Sequence, residues 1–146
     1  MRRLVILFFS LMLCQGMVYA ACEQGNCQNG SGTSKAQDGR IYEGEFKEGL
    51  PWGTGVLSSP DGTTYKGQFF KGTYHGTGIL VSKDGRKYTG TFQEGVIQGK
   101  GTMTFANGME YSGDFELGRF NGQGNLFYPD GREYFGDFRS NVIQGK

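Results

Sequence analysis

The residues that most often carry chemistry are scarce in this sequence. It has one histidine, His75, one tryptophan and three cysteines, so a zinc site of paired Cys and His ligands lacks its second pair. Nucleophilic catalysis assisted by histidine would have to be built around a single ring. The charges nearly cancel, with 15 Lys and Arg against 14 Asp and Glu, which leaves no basic excess to recruit nucleic acid. Beyond the first 20 residues there is no long apolar run. Hydrophobic residues make up only 36% while glycine numbers 27, a poor supply for a conventional packed core in a chain with room for one modest domain.

The first segment stands apart. Arg2 and Arg3 precede the apolar run Leu4 to Cys14, and Val18-Tyr19-Ala20 follows. Basic, apolar and small-residue regions in that order form a secretory signal peptide, and the run is shorter than the roughly 20 residues a membrane span needs. Residues 1–20 are read as that signal, with cleavage expected after Ala20. A buried first helix, an uncleaved anchor and a twin-arginine signal are the weaker alternatives. Loss of Arg2 and Arg3 leaves 13 basic residues against 14 acidic ones. Cys14 departs too, and the remaining pair, Cys22 and Cys27, reads as a disulfide in an exported chain. Closing so short a loop contributes about 2 kcal/mol in the chain-entropy model. Lipidation at Cys22 is the rival; it would orphan Cys27, and Tyr19 stands where an aliphatic residue is normal. The expected location is the periplasm, ahead of secretion or a membrane-anchored lipoprotein.

From Tyr42 onward the chain repeats itself. Tyr42, Tyr65, Tyr88, Tyr111 and Tyr134 recur at a fixed step of 23 residues, and Phe46, Phe69, Phe92, Phe115 and Phe138 keep it. Gly44, Gly67, Gly90, Gly113 and Gly136 lie between them, and a second set, Gly55, Gly78, Gly101 and Gly124, follows. A period of this size marks an array in which each unit buries its face only against its neighbours. Each unit reads as a β-hairpin: an alternating strand such as Tyr65–Phe69, a connection around Lys71 to Tyr74, and a second strand from Gly76 to Val81. Asp61-Gly62, Asp84-Gly85, Asn107-Gly108 and Asp130-Gly131 are expected to turn the chain into the next unit, because such pairs supply the positive φ of tight hairpin turns. No window has helical periodicity.

The glycines have a packing explanation. Positions i, i+2 and i+4 of a strand share a face, so Tyr65, Gly67 and Phe69 point one way, and Gly76, Gly78 and Leu80 share a face on the partner strand. If the two faces coincide, aromatic rings lie flat across bare glycine backbone and the sheet makes its own thin core. Residues 21–41 form a disulfide cap and a half repeat without the aromatic strand. At the other end Asn141 replaces the periodic Gly, and the last hairpin is expected to be one strand short, leaving a pairing edge.

The unit Tyr-x-Gly-x-Phe-x-x-Gly-x-x-x-Gly-x-Gly followed by Asp-Gly resembles the MORN repeat (membrane occupation and recognition nexus). The resemblance covers residues 42–146 as four full copies and a partial fifth. It implies an all-β fold: an elongated, single-layer antiparallel β-meander of 23-residue hairpins, spanning about 50 Å at about 4.8 Å per strand. It implies a scaffold, a dimerisation module or a phospholipid contact. No kinase or methyltransferase domain is expected beside it, and fold analogy confers no activity.

Candidate sites are weighed against plainer roles. His75 shares its slot with Trp52, Gln98, Asn121 and Gln144, a variable position, so no catalytic role attaches to it. The Asp-Gly pairs lack the acidic run of a calcium loop and are turn chemistry. Tyr42, Phe46, Tyr65, Phe69, Tyr88, Phe92, Tyr111, Phe115, Tyr134 and Phe138 form two ladders. They are first of all self-core, and any ring left uncovered is the candidate lining of a ligand or partner groove. The reading is a non-enzymatic exported module, with no cofactor or metal, that engages a protein partner or a second copy through the C-terminal edge strand. The alternative is a phospholipid-surface or glycan binder working through the aromatic face, with weak membrane contact.

Overall fold

Period-two alternation, broken by a turn every seven to nine residues, builds one antiparallel sheet in which every strand pairs only with its sequence neighbours. The computed structural model describes residues 19–145; the expected signal lies outside them, save the backbone of Tyr19 and Ala20. The strands are β1 (Tyr19–Gly25), β2 (Gly30–Ala36), β3 (Ile41–Lys47), β4 (Leu50–Ser58), β5 (Thr64–Phe70) and β6 (Thr73–Val81). They continue with β7 (Lys87–Gln93), β8 (Val96–Thr104), β9 (Glu110–Glu116), β10 (Arg119–Phe127), β11 (Glu133–Arg139) and β12 (Val142–Ile143). The all-β, single-layer meander expected from the repeat is what the chain forms.

Two kinds of connection alternate, and their positions correct the expectation for the turns. The tight two-residue turns are Glu48-Gly49, Lys71-Gly72, Glu94-Gly95 and Leu117-Gly118, each with positive φ at both residues, as at Lys71 (49°) and Gly72 (80°). The Asp-Gly pairs sit instead in wider connections. Between β4 and β5, Gly62 N–H donates to Ser59 O at 3.0 Å and Ser59 N–H to Thr63 O at 2.9 Å. Asp61 Oδ1 accepts from Thr63 N–H at 2.8 Å, and only Gly62 has positive φ, 92°. The aspartate stabilises the loop by side-chain hydrogen bonding, so it need not adopt the left-handed conformation.

Each tight turn is also tied to the preceding repeat. Gly72 N–H donates to Pro51 O, Gly95 N–H to Tyr74 O and Gly118 N–H to Ile97 O, all at 2.9 Å. Asn141, at φ 70°, takes the glycine's place and donates to Phe120 O at 3.0 Å. The last hairpin was expected to lack its second strand. The structure corrects this: β12 is present as a two-residue strand pairing Ile143 with Phe138 and Val142 with Arg139. At the other end β1 folds back on β2, and the Cys22–Cys27 disulfide closes their connection.

The core is the sheet's aromatic face. Gly44 pairs with Gly55, Gly67 with Gly78, Gly90 with Gly101 and Gly113 with Gly124. A tyrosine lies over each pair: a Cβ added to Gly78 would stand 2.5–2.6 Å from the Oη, Cε2 and Cζ atoms of Tyr65. That distance is far inside the roughly 3.5–4.0 Å of ordinary carbon contact, which is why the position takes no side chain. Tyr74 stacks on Tyr65 at 3.8 Å, and Phe120 on Tyr111 at 3.8 Å. Repeats are coupled by edge contacts from each tyrosine to the next unit's phenylalanine, Tyr42–Phe69 at 4.8 Å, Tyr65–Phe92 at 5.1 Å and Tyr88–Phe115 at 5.0 Å. Each such pair contributes about 0.5–1.5 kcal/mol beyond area burial.

The tyrosine hydroxyl explains why the position is not phenylalanine. The ladder slips after the glycine pair, between Gly67 and Gln68 for example, and the hydroxyl reaches a carbonyl at the slip. Tyr65 Oη–H donates to that Gln68 O at 2.8 Å; Tyr42, Tyr88 and Tyr111 donate likewise to Glu45, Thr91 and Asp114. The slipped strand carries two extra residues, Gly76 and Thr77, and is held from the other face, where Gln68 Oε1 accepts from Thr77 N–H at 2.9 Å.

Candidate functional site

The structure places the ten ladder aromatics together, in the interior of their own face. Tyr42, Phe46, Tyr65, Phe69, Tyr88, Phe92, Tyr111, Phe115 and Phe138 are at most 5% exposed, and Tyr134 is half-buried. A ring so covered has no face left for a ligand, so the candidate groove lining of the sequence reading is core. Burial also fixes their ionisation. Desolvation, then the charge of Tyr74, pushes Tyr65 up to about 12; desolvation, then Asp114, pushes Tyr111 up to about 12. Tyr42 and Tyr88 are raised by the same burial.

With one face spent on packing, the opposite face is where a surface site can form. The glycine row crosses the sheet unbroken, Gly32 to Gly44, Gly55, Gly67, Gly78, Gly90, Gly101, Gly113, Gly124 and Gly136. Seen from the open face, this row is a floor without side chains. One wall runs through the paired residues Val56, Lys66, Ile79, Thr89 and Thr102. The other contains the pairs Thr54 with Gln68, Thr77 with Thr91 and Lys100 with Asp114. The result is a shallow trough running across the strands, with a depression of about 570 Å³ between Glu43 and Thr77 and another of about 540 Å³ between Lys66 and Lys100.

Charge along the trough is ordered. Glu43 and Glu45 stand at the β3 end, Lys66 and Lys100 in the middle, and Asp114 and Asp137 beyond them. Lys100 Nζ lies 2.9 Å from Asp114, with its side chain 83% exposed; an ion pair so open to water holds weakly. Between Lys66 and Lys100 the lining is Thr77, Ile79, Thr89 and Thr91 over glycine, without a carboxylate.

Beside Thr54 and Gln68 of the second wall lies a group that the sequence reading missed. Trp52 and Phe70 meet at 4.7 Å, and Phe70 meets His75 at 5.5 Å. Lys47 Nζ sits 4.6 Å from the centre of the Trp52 ring and Lys71 Nζ 5.3 Å from that of Phe70. These residues occupy slots that vary from repeat to repeat. The available signal was period-two parity, which puts positions 52, 70 and 75 opposite the tyrosines. His75 is thus one edge of an exposed aromatic patch. Its ring neighbour is the aromatic ring of Phe70. Among the described residues no group of three or more His, Cys, Asp or Glu is placed to hold a metal ion.

Fold and surface together define a β-hairpin repeat array with a self-contained aromatic core and one open polar face, a binding scaffold in its geometry. A profile of the MORN repeat matches residues 42–64, 65–85, 88–110 and 111–131, and the chain belongs to the MORN repeat family. MORN repeats are in general protein- or membrane-interaction modules, typically non-enzymatic. A search of curated proteins finds no match to the sequence.

Proposed function

We propose that the chain is a non-enzymatic, exported interaction module that takes up a segment of a protein partner on its open face. The observation that carries this reading is the trough across the open face, which follows the row from Gly32 to Gly136 and is walled by Val56, Lys66, Ile79 and Thr89 on one side and by Thr54, Gln68, Thr77 and Thr91 on the other. The aromatic core occupies the other face, so a partner can seat here without disturbing the packing. Export rests on the order of basic, apolar and small residues in positions 1–20 and is supported by the Cys22–Cys27 disulfide. The periplasm is the proposed location. Lipid attraction has little electrostatic support in a mature chain of 13 basic and 14 acidic residues.

The test fills the trough. Thr77→Arg with Thr89→Arg puts two long side chains over the floor and leaves Thr91, the hydrogen-bond partner of Tyr88, in place. Partners cross-linked to the wild-type chain in its native compartment should be lost from this variant. Recovery of the same partners in the same amounts would defeat the proposal.

A second reading, contact between two copies through β11, is favoured by Phe135, which lies on the open face at 76% exposure. It is supported also by the outer edge of β11, which pairs with β12 only at Phe138 and Arg139. Light scattering coupled to size exclusion separates the readings. A dimer that Phe135→Lys converts to monomer supports this one, and a monomer in both removes it.

A further inference from the structure

The trough has a period as well as a shape. Each repeat contributes two strands, so equivalent wall positions recur about every 9.6 Å, at about 4.8 Å per strand. A polyproline II helix has three residues per turn and rises about 3.1 Å per residue, so it presents the same side about every 9.3 Å. A segment in that conformation, laid across the strands, meets an equivalent site at every third residue. An α-helix, with a pitch of about 5.4 Å, and a β-strand, alternating about every 6.6 Å, fall out of step within one repeat.

The chemistry of the surface agrees with the spacing. Backbone groups of the floor are engaged in the strand ladders on both sides, so they cannot add a peptide as a further strand. A polyproline II segment has no internal hydrogen bonds and keeps its carbonyls free for outside donors. The walls supply donors in Lys66, Gln68, Thr77 and Lys100. Phe70, exposed, and Trp52, half-buried against it, flank the wall of Thr54 and Gln68 and give rings of the kind on which proline packs. The charge order fixes the register: Lys66 and Lys100 bracket the middle, while Glu43 and Glu45 stand at one end and Asp114 and Asp137 at the other.

We propose that the open face binds a proline-rich segment of a partner protein in the polyproline II conformation, with an acidic residue over the span between Lys66 and Lys100. This rests on the trough reading above and names its occupant. The segment lies perpendicular to the strands. The floor from Gly32 to Gly136 spans about 43 Å at about 4.8 Å per strand, the length of about 14 residues at 3.1 Å each.

The test uses fluorescent 15-residue peptides and the purified protein. One is a Pro-Pro-Gln repeat with a central glutamate, one the same with a central lysine, and one a Gly-Ser-Gln repeat carrying the glutamate. Anisotropy should rank the first peptide tightest and the Gly-Ser peptide about tenfold or more weaker, because it must pay to order its backbone. Lys66→Glu with Lys100→Glu should invert the preference between the glutamate and lysine peptides, each exposed pair carrying a factor of roughly 1.5 to 5. Thr77→Arg with Thr89→Arg should abolish binding of all three. Equal binding of the proline and Gly-Ser peptides, both lost on filling, would overturn the proposed conformation and leave the trough as the partner site. Peptide binding unaffected by filling would overturn both, as would vesicles of phosphatidylcholine and phosphatidylserine binding through Lys66 and Lys100 in place of any peptide.

Discussion

Gly101→Ala adds one methyl group to the most tightly specified place in the third repeat. The new Cβ would lie 2.4 Å from Tyr88 Oη, 2.5 Å from Cε2 and 2.6 Å from Cζ, so the ring must retreat by about 1 Å to reach ordinary contact. Tyr88 is 1% exposed and is met at its edges by Phe92 at 5.1 Å and Phe115 at 5.0 Å, which leaves it little room. Overpacking costs about 1–3 kcal/mol. Retreat also draws the hydroxyl from Thr91 O, 3.1 Å away, and a buried carbonyl stripped of its donor costs about 1–3 kcal/mol. Replacing glycine returns about 0.4–1 kcal/mol through the unfolded chain. The net is a destabilisation of about 1–6 kcal/mol, with a fall in Tm on the order of 10 °C at the middle of that range for a chain of this size. Thermal unfolding by circular dichroism measures it, and a mutant cycle with Tyr88→Ala assigns it. With the ring removed, Gly101→Ala should become nearly neutral. Additive effects in the double variant, or an unchanged Tm in the single one, would refute the flat-ring packing.

Three further outcomes follow from the same structure. Tyr65 and Tyr111 have folded pKa values near 12, above the unfolded value of about 10. Their neutral forms therefore support the fold fully below about pH 10, and that support is lost as pH rises through 12. A tyrosinate absorbance titration should show these rings ionising late and together with loss of the β-sheet signal; ionisation near pH 10 with the sheet intact would contradict their burial. Leu117 holds φ 49° at the first position of a tight turn and is 72% exposed, so Leu117→Asn should raise stability by about 0.5–1 kcal/mol, read as a higher denaturant midpoint. Reduction of Cys22–Cys27, or Cys27→Ser, should destabilise the β1–β2 cap by about 2 kcal/mol, with amide exchange accelerating in β1 and β2 and unchanged beyond β5; uniform acceleration through β11 would show that the cap controls the whole array.

The architecture was legible because each repeat states the same constraint. Tyr-x-Gly-x-Phe puts ring, gap and ring on one face, and the second glycine set completes the gap from the next strand. The turns were less legible, since Asn-Gly and Asp-Gly are strong hairpin signals and pointed to the wrong end of the strands. The tight turns use Glu48, Lys71, Glu94 and Leu117 at positive φ, residues that carry no local signature. What holds these turns is a long-range hydrogen bond, such as Gly72 N–H to Pro51 O, which no local pattern encodes.

The candidate site was harder still. Trp52, Phe70 and His75 occupy variable slots, so comparing repeats hides them, and only their contact across strands makes a patch. The trough is defined by the neighbours of the glycines, whose side chains stand on the face opposite the tyrosines. The glycines themselves serve the core, since a Cβ on any of them from Gly44 to Gly136 would point at a tyrosine, and the sequence pattern that singles them out says nothing of the other face.

The most direct test of the account is a photo-cross-linking scan in the native compartment. A benzophenone side chain is placed in turn at Thr77, Thr91 and Thr102 on the open face, at Asp61 in a wide connection, and at Leu117 on a tight turn. The account predicts a discrete protein adduct from the three open-face positions and none from Asp61 or Leu117. Adducts from Asp61 or Leu117, with none from Thr77, Thr91 or Thr102, would contradict it.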